Sequence, residues 1–354
     1  MFAIEALLES IRVPVQDLEE LCEQSEDYIL VPLDNYISRS TEHFLACKEP
    51  DYQQSLFKLI SRVFADHNFE DNDIEPAPKL IEAVLQNCKG RVDEWVEPYL
   101  KVTVERLRRT QKGYLKDLLI EVVANALYYN PGLSLSILQR MGVTAEVFQT
   151  WFNLLQERKK SGQPAHFRRE HDKKVCILGL LSLLPLSTEL MPQEVQAGID
   201  QIFKAVLQLL MAYKQQLEES AKKQNVAEDD EELESSGSER DNWDNDLEDK
   251  DEDNDEADAE KLQKLAAEAS AFRRHSEADE DSNDDFTDDE EFQAPIDVVD
   301  PFILFADIMQ GMSMSDPARF QAYTQLLDPQ QQAVANSLAL HAEERRKAIQ
   351  KDSS

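Results

Sequence analysis

The sequence predicts an all-α fold of stacked helical hairpins that carries one long acidic disordered segment. Three observations predict it. Apolar residues recur at i, i+3, i+4 spacing over roughly the first 220 residues. No stretch alternates with period two over a useful length, so essentially no sheet is expected. The formal net charge of -34 is local: residues 226–300 hold 32 Asp and Glu against 6 Lys and Arg, a net of -26, which leaves -8 for the rest.

The helices follow in order. Leu80, Val84 and Cys88 share one face. After Lys89-Gly90, Val92, Val96, Leu100, Val104 and Leu107 form the next stripe. Leu115, Leu118, Leu119, Val122, Val123 and Ala126 form a third, which stops at Asn130-Pro131-Gly132. Val147, Trp151 and Leu155 mark a fourth. The longest runs Val195, Ile199, Ile202, Phe203, Val206, Leu210, Tyr213 and Leu217. Gly90, Gly113, Pro131, Gly162, Pro164 and Pro192 punctuate these patterns. Pairs of helices recur at roughly 35 to 45 residues, the range of HEAT/ARM-type hairpins, whose apolar sides are buried only when neighbours stack. A compact antiparallel bundle obeys the same packing rules and stays open as an alternative.

The predicted domains are helical repeats over 1–225, the acidic disordered segment over 226–300, and carboxy-terminal helices over 301–350 that pack back on the array. The acidic segment has too few aliphatic residues to offset its ordering entropy. Within it, 260–274 (EKLQKLAAEASAFRR) has a short helix pattern. After Asp300, Phe302, Phe305, Met309 and Met312 form an apolar face; Phe320, Tyr323 and Leu327 form a second; Val334 and Leu338 start a third.

Composition narrows the function. Met1–Ser10 carries Glu5 and Glu9 and no positive charge, unlike a signal peptide. The apolar run from Val175 to Leu186 contains Pro185 and falls short of the roughly 20 residues of a membrane span, so it reads as a helix buried on most sides. Cys22, Cys47, Cys88 and Cys176 lie far apart and read as free thiols of a reducing compartment, the cytosol or nucleus. No phosphate-binding glycine motif and no HExxH occurs, and the histidines are scattered. Neither cofactor nor metal nor catalytic residue is expected. The charge disfavours nucleic acid and anionic membranes and favours basic proteins.

The candidate site for basic partners is therefore the acidic segment. Its clusters comprise Glu228, Asp229, Asp230, Glu231 and Glu232, then Asp244, Asp246, Glu248, Asp249, Asp251, Glu252, Asp253, Asp255 and Glu256, then Asp284, Asp285, Asp288, Asp289, Glu290 and Glu291. Ser236, Ser238, Ser276, Ser282 and Thr287 each have an acidic residue three positions on, a context for acidophilic kinases. Each phosphate would add about -1.5 to -2 charges. One basic patch, Arg158-Lys159-Lys160 with Arg168-Arg169 and Lys173-Lys174, has three readings: a solvated loop, an intramolecular partner of the acidic segment, or a nucleic-acid contact.

Several stretches resemble importin-β-type nuclear transport receptors of the importin-7/importin-8 kind. Leu80–Leu107 (LIEAVLQNCKGRVDEWVEPYLKVTVERL) resembles a late HEAT hairpin of that branch. Ala126–Leu133 (ALYYNPGL), His171–Leu184 (HDKKVCILGLLSLL) and the closing FQAYTQLLDPQQQAVANSLALHAEERR are similar to later elements, in the right order. The resemblance covers the last third of such a receptor and leaves out the amino-terminal arch that contacts Ran. It implies import of basic cargo, such as ribosomal proteins and histones, into the nucleus. It also implies Ran, FG nucleoporins and importin-β as partners, with traffic between cytoplasm and nucleus through the pore. A stand-alone acidic chaperone and a general HEAT scaffold are the alternatives.

Overall fold

The computed structural model describes residues 26–66, 69, 71, 74–234 and 294–352. Among them are fourteen α-helices and no strand; two isolated bridges, Lys48 with Asp51 and Arg158 with Pro164, close tight loops. The helices are α1 (Glu26–Arg39), α2 (Thr41–Ala46), α3 (Tyr52–Ala65), α4 (Pro76–Asn87), α5 (Asp93–Arg109), α6 (Gly113–Tyr129), α7 (Pro131–Arg140), α8 (Thr144–Gln156), α9 (Glu170–Leu181), α10 (Gln193–Ala197) and α11 (Ile199–Glu234). The last three are α12 (Pro301–Ser315), α13 (Pro317–Gln325) and α14 (Pro329–Asp352). The described residues up to Glu218 and from 294 onward belong to one compact unit; of a second unit, Glu219–Glu291, only the end of α11 is described.

Local chemistry sets the boundaries. Asn130 closes α6, its N–H donating to the Ala126 carbonyl at 3.0 Å. The same residue opens α7, its side chain accepting from the Leu133 N–H at 3.1 Å ahead of Pro131 at the first helical position. The predicted stop at Asn130-Pro131-Gly132 is thus a start as well. Asp300 and Asp316 cap α12 and α13 in the same way, each followed by proline. Asp328 and Gln331 exchange backbone and side-chain bonds at 2.8 and 3.1 Å at the start of α14, a reciprocal cap.

Packing arranges the helices in two layers. In one, α1, α4, α6, α9 and α12 each lie against the next; in the other, α3, α5, α7, α8 and α10 do the same. Each helix has an apolar face that only its neighbours cover, which is the all-α HEAT/ARM-type arrangement the periodicity predicts. Helix α6 has neighbours on several sides, so Leu115, Leu118, Leu119, Ile120, Val122, Val123 and Leu127 are all buried. Helix α9 matches the expectation for its apolar run, being buried from Asp172 to Leu181. Gly179 lets α9 approach α6 closely: a Cβ there would sit 2.7 Å from the Ala124 carbonyl oxygen.

Two expectations are refined. The stripe from Val195 to Leu217 is broken at Gly198, which separates α10 from α11. Gly113 is no break but the first residue of α6, and its missing Cβ leaves room for His166, whose Cε1 lies 2.9 Å from where that Cβ would be.

Candidate functional site

The acidic site of the sequence reading meets the described structure only at its edge. Glu228, Asp229, Asp230, Glu231 and Glu232 fall on the last turns of α11, which ends at Glu234. The remaining acidic residues, from Asp244 to Glu291, lie outside the described residues. So do Ser236, Ser238, Ser276, Ser282, Thr287 and the 260–274 pattern.

Where the chain resumes, at 294–300, it is held by residues far away in sequence. Lys174 on α9 donates to the Asp297 carbonyl at 2.9 Å. Asp300 caps α12 through the Phe302 and Ile303 N–H groups and pairs with Arg345 of α14. Phe302 is fully buried, stacks on Tyr213 of α11 and takes His341 edge-on at 4.7 Å between ring centres. Lys173, next to Lys174, bonds the Gln216 side chain and the Arg168 carbonyl. Burial lowers the pKa of both lysines, opposed by Asp172 at Lys173 and by Asp297 at Lys174.

This divides the basic patch. Arg158 and Lys160 are exposed, but Lys173 and Lys174 are buried and bonded to oxygens of the same chain. The sequence grouped them because they are close in number. Their partners, Gln216 and Asp297, are not visible in local spacing.

A second group of charges meets at the junction of α4, α6 and α9, with Glu82, Glu121 and Asp172 buried and Arg169 and His171 half-buried at its rim, and sequence reasoning missed it. Glu82 of α4 accepts from Asn125 Nδ2 at 2.9 Å and lies 3.5 Å from His171 Nε2. Gln86 donates to Asn125 Oδ1 at 2.9 Å. Arg169 bonds Asp172 through Nε at 2.8 Å and through its backbone N–H at 3.0 Å, capping α9. His166, in the loop before α9, bonds Asp117 of α6 at 2.8 Å and reaches Glu157 at 3.3 Å. Glu121 stands among these groups at 1% exposure, and neither carboxyl oxygen has a hydrogen-bond partner. The signal available in the sequence is a lone charge inside an apolar run, as in Leu118-Leu119-Ile120-Glu121-Val122-Val123.

Burial dominates the electrostatics. It raises the Glu121 pKa well above the carboxylate range, and Asp172 and Glu82 push it further against Arg169. Burial also raises Asp117, to about 6, against the pull of His166. At His166 and His171 burial opposes the cation, but Asp117 and Glu82 respectively outweigh it and both pKa values are raised.

Two neighbouring grooves of about 370 and 400 Å³ flank Lys204 and Gln208 on α11, one toward Phe152 and Leu155, the other toward Gln331 and Val334. Among the described residues no group of His, Cys, Asp and Glu is arranged to hold a metal ion, and no helix is long and apolar enough to cross a membrane.

Two layers of stacked hairpins, with a strongly charged stretch between consecutive helices, define a helical-repeat protein. The profile of the family described as "Importin-11-like, TPR repeats" matches residues 5–268. The "Importin beta-like SAD2 homolog" of Arabidopsis thaliana is 52% identical over 338 residues, covering 95% of this chain and 32% of that protein. The "Probable importin-7 homolog" of Dictyostelium discoideum is 33% identical over 53% of this chain and 17% of its own length. Human "Importin-8" is 31% identical over 52% of this chain and 17% of its own. No solved structure matches the chain. The chain belongs to the importin-11-like family, within the importin-β superfamily of nuclear transport receptors, and spans about a third of the Arabidopsis relative's length.

Proposed function

We propose that the chain forms the carboxy-terminal part of a nuclear import receptor and that its acidic segment receives basic cargo, with ribosomal proteins and histones as the cargo class. The observation that carries this reading is charge segregation: a net -26 sits in residues 226–300 of a chain that totals -34. Family membership supplies the transport context. Contacts with Ran, FG nucleoporins and importin-β, and shuttling between cytoplasm and nucleus, are part of the same proposal. So is the view that the acidic insertion between 1–225 and 301–350 is disordered from the end of α11 at Glu234 to residue 294, and that Ser236, Ser238, Ser276, Ser282 and Thr287 are phosphorylation sites that deepen its charge. An attraction between solvated charges is screened by salt, with a Debye length near 10 Å at about 0.1 M. The test is binding of a linker histone and of a basic ribosomal protein to the full chain and to a variant in which the Asp and Glu of 241–258 and 277–291 become Asn and Gln. Wild-type binding should be strong at low salt and fall steeply as salt rises; the neutralised variant should lose at least tenfold. Equal affinity of the two chains would refute the assignment. FG-repeat peptides then separate a transport receptor, which binds them, from an acidic chaperone, which does not.

A further inference from the structure

The junction of α4, α6 and α9 has a charge imbalance that its own side chains do not correct. Four carboxyl groups are covered by the helices, Glu82, Asp117, Glu121 and Asp172; Glu157, which also reaches His166, stands in solvent and is left out of the balance. The fixed cation among them is Arg169, and His166 and His171 are the titratable ones. With both histidines cationic, four negative charges face three positive ones. One carboxyl too many is therefore ionised if all are, and the hydrogen bonds show which one is unsupported. Glu82 accepts from Asn125, Asp172 from Arg169, and Asp117 from His166 and the Phe167 N–H. Glu121 accepts from nothing. Burying an ionised carboxylate without partners costs far more than protonating it.

The neighbours of α6 offer no other rescue. From α4 comes Glu82, and from α9 and its cap come Arg169, His171, Asp172 and the Cys176 thiol. The one ionisable residue of α7, Arg140, pairs with Glu97 on the exposed surface. That of α8, Glu146, pairs with Arg108, also exposed. On α5, Asp93 bonds Tyr129 and Arg106 bonds Asp71.

We propose that this junction binds one proton at neutral pH, on the Glu121 carboxyl, and that the proton is a condition for α4, α6 and α9 to stack. The array thereby contains a proton-dependent joint: losing the proton places an uncompensated charge between helices of consecutive hairpins and drives them apart. Burial and the adjoining Asp172 and Glu82 raise the pKa of this carboxyl, in the direction the joint requires. The sign follows. A raised folded-state pKa means that the folded chain holds the proton more tightly than the unfolded one. Its contribution is complete below the unfolded carboxyl value and is lost as pH rises toward the folded value.

The test uses the full chain. Infrared spectra with carbon-13 label in the glutamate carboxyls should show a protonated-carboxyl carbonyl band at pH 7. That band should be missing from Glu121→Gln and retained in Glu82→Gln. Urea unfolding from pH 5 to 8 should show the wild-type folding constant falling more steeply than that of Glu121→Gln, by about tenfold per pH unit for one bound proton. No such band in the wild-type chain at pH 7, or parallel pH dependences for wild type and Glu121→Gln, would overturn the proposal. Should Glu121→Gln fail to fold, the labelled wild-type band decides alone: present at pH 7 and lost on alkaline titration, or absent throughout.

Discussion

Helices α9 and α12 are both apolar on nearly every side, yet they are buried to very different extents. On α9 everything from Asp172 to Leu181 is buried, two lysines included. On α12 Pro301, Phe302, Phe305 and Met312 are buried, while Ile303, Leu304, Ile308 and Met309 are half-covered and Met314 is 77% exposed. Both occupy the same layer, with α9 between α6 and α12. Helix α12 also lies against α13 and α14, yet half its apolar residues stay only partly covered, so burial of a repeat helix is set by how closely its neighbours approach, as at Gly179, and not by its own hydrophobicity.

This difference can be broken from either side. The largest effect is expected from Leu180→Ala on α9: the side chain is fully buried and its loss should cost about 2–5 kcal/mol. Met314→Ala on α12 should stay within about 0.5 kcal/mol. Urea unfolding of both variants measures the contrast, and similar losses would remove it. Next comes Gly179→Ala, which puts a methyl group against the Ala124 backbone and should cost about 1–3 kcal/mol through a forced shift of α9 from α6. A stabilising Gly179→Ala, as a solvent-exposed helical glycine would give, would show that the two helices are free to separate.

A third effect concerns the loop before α9. The His166 pKa is raised from 6.5, so the stability that its protonation contributes is complete below that value and is lost as pH rises through the folded-state value. Asp117, raised from 3.8 to about 6, acts in the same direction at lower pH. Hydrogen exchange at the Phe167 N–H should lose protection as pH climbs past neutrality, after correction for the intrinsic rate. His166→Gln should flatten that profile at a cost of about 1 kcal/mol. The smallest effect is expected from Arg140→Ala: its pair with Glu97 is more than half exposed on both sides, and the change should stay within about 0.5 kcal/mol in a thermal melt.

The helical stripes were legible because each repeat helix buries one face against a neighbour of the same kind. Leu80, Val96, Leu119 and Leu210 all announce their burial through spacing. Charge segregation was legible because it needs only counting. The buried junction was not. Glu82, Glu121, Asp172 and His171 come from three helices, and their partnership arises from stacking, which no local window reports. Lys173 and Lys174 misled for the same reason: their charge is visible in the sequence, but Gln216 and the Asp297 carbonyl are not beside them until the chain has folded.

Asn130 has a mechanical consequence. It is the C-cap of one helix and the N-cap of the next, so the elbow between α6 and α7 is a single residue in extended backbone. Its bonds to the Ala126 carbonyl and the Leu133 N–H, with the Ser134 hydroxyl on the same carbonyl, hold the angle between those two rods.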